Sequence, residues 1–149
     1  MNRPSRMIDN IARSCIALRL RLLNRVVTSL YDEALRSLGL KVSQMNILVV
    51  TAKLGLAQPT KVCDILQMDT STLSRNVDRM RAKDWLVVVP GNDARTQPFR
   101  LSARGERLLE RTVPAWEQAQ RQAKELLGDE GIALLNKAAK MLGMPQADH

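Results

Sequence analysis

The sequence predicts a mainly helical (α+β) fold with the element order α-α-α-α-β-β-α-α. Three observations predict it. Apolar residues recur at steps of three and four along most of the chain, the period of a helix. The pattern switches to a short β-branched run only after Asp84. Helix-starting and helix-stopping residues fall between the periodic segments, so the elements separate cleanly.

The first element is an amphipathic helix from about Arg6 to Leu38. Ile8, Ile11, Cys15, Leu18, Leu22, Val26, Leu30 and Ala34 make its stripe, Leu23, Val27 and Tyr31 widen it, and Gly39 stops it. At ~1.5 Å per residue it would run ~50 Å, longer than a small domain needs, so a partner subunit is expected on it. Ser43 is the expected N-cap of a second helix through Met45, Ile47, Leu48, Val49 and Val50, nearly all apolar and therefore central. Gln58-Pro59-Thr60 starts a short third helix with Val62, Ile65 and Leu66 on its inner face. After the turn Gln67-Met68-Asp69, either Asp69 or Thr70 caps a fourth helix from Ser71 to about Lys83, with Leu73, Val77 and Met80 inward. Two short helices joined by so tight a turn form a helix-turn-helix.

Trp85 to Val89 reads as a strand and Pro90-Gly91-Asn92-Asp93 as a turn. Gln97 to Leu101 reads as the returning strand, placed at an edge by Pro98. A hairpin directly after the second helix of the pair is a wing. Ser102 caps a further helix to Leu127, with a kink expected near Arg111 to Val113 because Pro114 lies within it. Gly128-Asp129 breaks that helix and caps a last one, Glu130 to Leu142. The chain is thus read as one unit, 1–149. Residues 43–105 form a winged helix-turn-helix lobe, and 6–38 and 106–142 form dimerisation helices.

Composition narrows the function. There are 23 Lys+Arg against 15 Asp+Glu, a formal net charge of +8, which favours a polyanionic partner. Aromatic residues make up only 3 %, too few for a protein that stacks single-stranded bases. The single histidine is His149, and neither GxxxxGK[ST] nor GxGxxG occurs, so no enzyme, metal site or cofactor is expected. No membrane span is expected, and the charges at Arg3, Arg6, Asp9 and Arg13 do not suit a secretory signal. Cys15 and Cys63 form no CxxC, which suits the reducing cytoplasm.

The outer face of the Ser71–Lys83 helix carries the chemistry. Ser71 and Thr72 are small hydroxyls at a helix N-terminus, where an anion can approach closely. Arg75 follows one turn in, at reach for base edges, where a bidentate arginine–guanine pair is the commonest specific contact. Arg79, Arg81 and Lys83 are expected on phosphates. Arg95 at the hairpin tip would enter a minor groove, braced by Asp93. Cys15, beside Arg13 and Arg19, is a possible redox sensor. Tyr31 and Trp116 are read as packing in a dimer core. Two reading heads on a two-fold axis predict a pseudo-palindromic double-stranded DNA site with half-sites roughly 34–36 Å apart. A non-specific architectural DNA binder is the alternative.

The stretch Asp69-Thr70-Ser71-Thr72-Leu73-Ser74-Arg75-Asn76-Val77-Asp78-Arg79-Met80 resembles the recognition helix of MarR-type transcriptional regulators. Asp93-Ala94-Arg95 followed by Leu101-Ser102-Ala103-Arg104-Gly105 resembles their wing signature. The resemblance implies a homodimer on palindromic operators, often a repressor released by a small aromatic ligand or by oxidation. By position it places Thr60, Ser71, Thr72, Ser74, Arg75 and Arg79 at the major groove or its phosphates, and Arg95 in the minor groove. It also implies an effector pocket near Met45, Leu48 and the start of the helix after Ser102.

Overall fold

The structure, a computed structural model, describes residues 3–91 and 97–143. Its elements are α1 (Arg3–Ser14), α2 (Ile16–Ala34), a 3₁₀ turn η1 (Arg36–Leu38), α3 (Val42–Leu54), α4 (Pro59–Leu66), α5 (Thr70–Ala82), β1 (Leu86–Val88), β2 (Phe99–Leu101) and α6 (Ala103–Met141). The mainly helical winged helix-turn-helix architecture is the one the sequence predicts.

The long first helix is in fact two. Cys15 takes an extended backbone (φ −64°, ψ 112°) and separates α1 from α2. No glycine or proline marks the spot. Ser14 Oγ instead donates to the Asn10 carbonyl at 2.6 Å, a back-bond that competes with helix geometry. The Arg19 guanidinium donates to the carbonyl of Arg13, which satisfies one of the acceptors the break orphans.

Ser43 is not the cap of α3, because the helix begins one residue before it, at Val42. Its first amides find acceptors on other side chains. Asp32 Oδ1 accepts from Val42 N at 2.8 Å, and Gln44 Oε1 accepts from Lys41 N at 3.1 Å. Asp32, near the end of α2, thereby ties the first helices to the lobe. Pro59 opens α4, where a missing N–H costs nothing. Gln67 (φ 49°) makes the left-handed turn into α5.

The hairpin pairs Leu86 with Leu101, Val87 with Arg100 and Val88 with Phe99. β2 is not a free edge at Phe99. Ala57 N donates to Phe99 O at 2.8 Å and Phe99 N donates to Ala57 O at 3.0 Å, so the loop before α4 borders the strand. Pro98 stays outside the strand, and its carbonyl accepts from Val89 N at 2.8 Å.

Ser102 caps α6, accepting from Gly105 N at 3.0 Å and donating to Asp84 O at 2.5 Å. A side chain at Gly105 would run into the Trp85 carbonyl, so only glycine lets α6 start this close to the hairpin. The helix keeps helical dihedrals through Pro114 and leaves them at Gly128 (φ 67°, ψ 170°). The break between the last two predicted helices therefore exists, and helical dihedrals persist over Arg111 to Val113.

Leu35, Ile47, Leu48, Val62, Leu73, Met80 and Phe99 form the heart of one core within the lobe. Ala119 and Ala123 of α6 are also buried. The Tyr31 hydroxyl donates to Gln120 of α6, so Tyr31 links α2 to α6 within one chain. The remaining terminal surface is bare: Ile8 is 62 % exposed, Leu22 55 %, Leu134 68 % and Trp116 40 %. Among the described residues, no helix is long and apolar enough to cross a membrane.

Candidate nucleic-acid interface

α5 is held by Leu73, Val77 and Met80, which are buried at helical spacing and fix the opposite face outward. Ser71, Ser74, Arg75 and Arg79 are exposed on that outer side. Thr60 is exposed in the first turn of α4. Asp93 and Arg95 lie outside the described residues.

Asp69 organises the start of α5. Its Oδ1 accepts from Ser71 Oγ at 2.6 Å and from Thr72 N at 2.8 Å, and its Oδ2 accepts from Thr72 Oγ1 at 2.7 Å. Arg75 Nη2 donates back to Thr72 Oγ1 at 3.3 Å. The bonds from Ser71 and Thr72 hold the Asp69 carboxyl far below the usual carboxylate range, with a smaller contribution from the nearby Arg75 charge.

This network engages the two hydroxyls at the start of α5. Both donate to a carboxylate, and that carboxylate already occupies the positive end of the helix. An anion would meet Asp69 there, so Ser71 and Thr72 do not form an open anion seat. Thr72 Oγ1 connects the two groups, donating to Asp69 and accepting from Arg75. The sequence leaves the cap of α5 open between Asp69 and Thr70, and the structure places it at Asp69.

The remaining cations diverge. Arg79 is exposed beside Arg75. Arg81 turns towards the hairpin, where it lines a narrow groove with Ser74, Asp78, Val88 and Gln97. Lys83 does not join them. Its Nζ donates to Gly39 O at 3.1 Å and lies 4.4 Å from the centre of the Trp85 ring.

Met45 and Leu48 are core residues, 5 % and 0 % exposed. A cleft of about 610 Å³ is lined instead by Thr51, Ala52 and Gly55, Arg100 of β2, and Glu106, Glu110 and Val113 of α6. The start of α6 therefore does border a cleft, whereas Met45 and Leu48 are spent on packing. Cys15 is half-buried at the α1–α2 break. Burial, and then the charges of Asp64 and Asp69, push the Cys63 thiol up, so it stays protonated.

The MarR family model matches residues 38–96, from the end of η1 to the hairpin. The chain is 30 % identical to the Mycobacterium tuberculosis transcriptional regulator MOSR, solved in complex with DNA. That match covers 87 % of this chain and 98 % of that one, with a TM-score of 0.70. A mutant MarR from Escherichia coli complexed with operator DNA is similar in fold at 20 % identity, covering 89 % and 96 % of the two chains, with a TM-score of 0.77. Bordetella bronchiseptica BpsR, whose DNA binding is regulated by 6-hydroxynicotinic acid, is similar at 20 % identity, covering 86 % and 93 %, with a TM-score of 0.75. No curated protein matches the sequence significantly.

Proposed function

The chain belongs to the MarR family of transcriptional regulators, and from that premise we propose that it is a cytoplasmic, sequence-specific DNA-binding repressor. It acts as a homodimer on a pseudo-palindromic operator. The observation that carries this reading is the outer face of α5, where Arg75, braced through Thr72, stands beside an exposed Arg79 on a helix whose other face is locked into the core. Arg75 reads a base edge in the major groove. Arg79 and Thr60 hold phosphates and set the register. Arg95, with Asp93, enters the minor groove from the wing.

The bare apolar stripe of α1, α2 and the distal part of α6 supports the dimer, since a second copy would cover it. Two copies would then present their α5 helices about one helical turn of DNA apart. Release by a small aromatic ligand is supported by the cleft beside α3 and α6, and by BpsR, whose regulating compound is of that kind. Release by oxidation would act through Cys15, which sits where the first two helices separate.

The test is site selection with purified protein, followed by titration of the selected palindrome and a scrambled duplex across salt concentrations. Specific binding predicts a preference of roughly 10³-fold or more for the palindrome. Arg75→Ala should cost about 1–3 kcal/mol there and relax one base position. Equal affinity for both duplexes at every salt concentration would make the protein an architectural binder and end this reading. Cys15→Ser should keep DNA affinity and lose any response to peroxide.

A further inference from the structure

The first turns of α6 sort their charges onto two sides. Glu106 and Glu110 border the large cleft beside α3. Arg104, Arg107 and Arg111 fall at i, i+3 and i+7, within one side of a helix. They line a separate cleft of about 470 Å³, closed by Leu38, Trp85 and Leu108. No acidic residue lines it. The ion pairs among the described residues are Arg36–Glu33 and Lys41–Asp32, so none of these three guanidiniums is neutralised by a carboxylate. Trp85, which lines the cleft, also carries Lys83 Nζ 4.4 Å from its ring centre.

Like charges at these helical spacings repel, so the arrangement is at its best only when something negative lies among them. Guanidinium groups are suited to bidentate contact with phosphoryl oxygens. The three arginines are stepped along the axis by about 4.5 Å and then about 6 Å, a span that one carboxylate does not bridge. A chain of two or three phosphoryl groups does. The cleft also lies at the C-terminal end of α5, about 18 Å along that helix from its hydroxyl-rich start, so it is distinct from the proposed reading face.

We propose that the cleft between η1, the α5–β1 junction and the first turns of α6 is a binding site for a compact polyanion of the pyrophosphate or polyphosphate class, gripped by Arg104, Arg107 and Arg111. The site does not depend on the assignment of the DNA-reading residues. It touches Trp85, whose N–H donates to Met80 O of α5 at 2.9 Å.

Titrating inorganic tripolyphosphate into the full-length protein without DNA, by calorimetry at fixed ionic strength, tests it. Saturable binding of one equivalent per chain is the expected result. The triple variant Arg104→Gln, Arg107→Gln, Arg111→Gln should weaken binding at least tenfold, and Arg107→Gln alone should weaken it measurably. The double variant Arg75→Ala, Arg79→Ala should bind like the parent. Undiminished binding by the triple variant, binding lost in the double variant, or no saturable binding by the parent would each overturn the proposal. So would a change in sedimentation of the triple variant at unchanged circular dichroism, which would assign these arginines to contact between subunits.

Discussion

The lobe from Leu35 to Leu108 and the terminal helices share one sequence pattern and meet opposite fates. In both, apolar residues recur at helical spacing. In the lobe the pattern is consumed: Leu35, Ile47, Leu48, Val62 and Met80 have 0 % exposure, and Phe99 1 %. In α1 and α2 it is left bare, with Ile11 at 57 % and Ile16 at 72 %. The contrast teaches that amphipathic period marks a face to be covered and does not name the cover. Where several elements converge, the chain covers itself. Where a helix runs on past the lobe, much of the same stripe stays exposed.

The hardest blow to this contrast is struck in the lobe. Phe99→Ala removes the largest fully buried side chain and should cost about 3–5 kcal/mol in chemical denaturation. A smaller loss would mean that the lobe is not the self-contained unit described.

Gly105→Ala comes next. Its methyl would collide with the Trp85 carbonyl, which is backbone and cannot rotate away, so α6 must shift. A destabilisation of about 1–3 kcal/mol is expected, against near-neutrality for Gly131→Ala, which meets only the Leu127 side chain. Equal effects would show that α6 is not seated tightly on the hairpin.

The Asp69 cap gives a pH signature. Its carboxyl is depressed in the folded state, so its stabilisation is complete above the ordinary carboxylate value of about 4. That stabilisation is lost only as pH falls from there towards the folded-state value. Stability of the parent should therefore carry an Asp69 contribution that is flat from pH 5 to 8 and fades in strong acid. Asp69→Asn should remove that acid-limb slope, readable in urea melts at successive pH values.

The smallest effect is expected at Leu22→Ala. At concentrations low enough for single chains, an exposed residue should change stability by about 0.5 kcal/mol or less. At high concentration the same substitution should weaken self-association, seen by sedimentation. A large loss in the isolated chain would mean that the stripe is covered from within.

Much of the fold was legible because its signals are local. Asp69 and Ser102 cap the helices that follow them, Pro59 opens α4, and Leu73, Val77 and Met80 face inward. Each of these features is decided within one or two turns of chain. The break at Cys15 is not legible because neither glycine nor proline stands there, and the hydroxyl back-bond beside it also occurs within unbroken helix at Thr28 and Ser29. At the candidate site the outward placement of Arg75 and Arg79 follows from helical spacing. The bonds of Ser71 and Thr72 to Asp69 are not legible in spacing, because a hydroxyl's partner depends on how the helix start is folded.

The sequence alone settled the order of the elements from α3 onward, the inner and outer faces of α5, and the net positive charge. Tertiary structure alone decided that Asp32 caps α3, that Ala57 borders Phe99, that Lys83 leaves the basic face to lie on Trp85, and that three arginines line one cleft. The reason is the same in each case. These pairings join residues that approach only after the intervening chain has closed upon itself, and no residue's own preference encodes the neighbour that closure will bring.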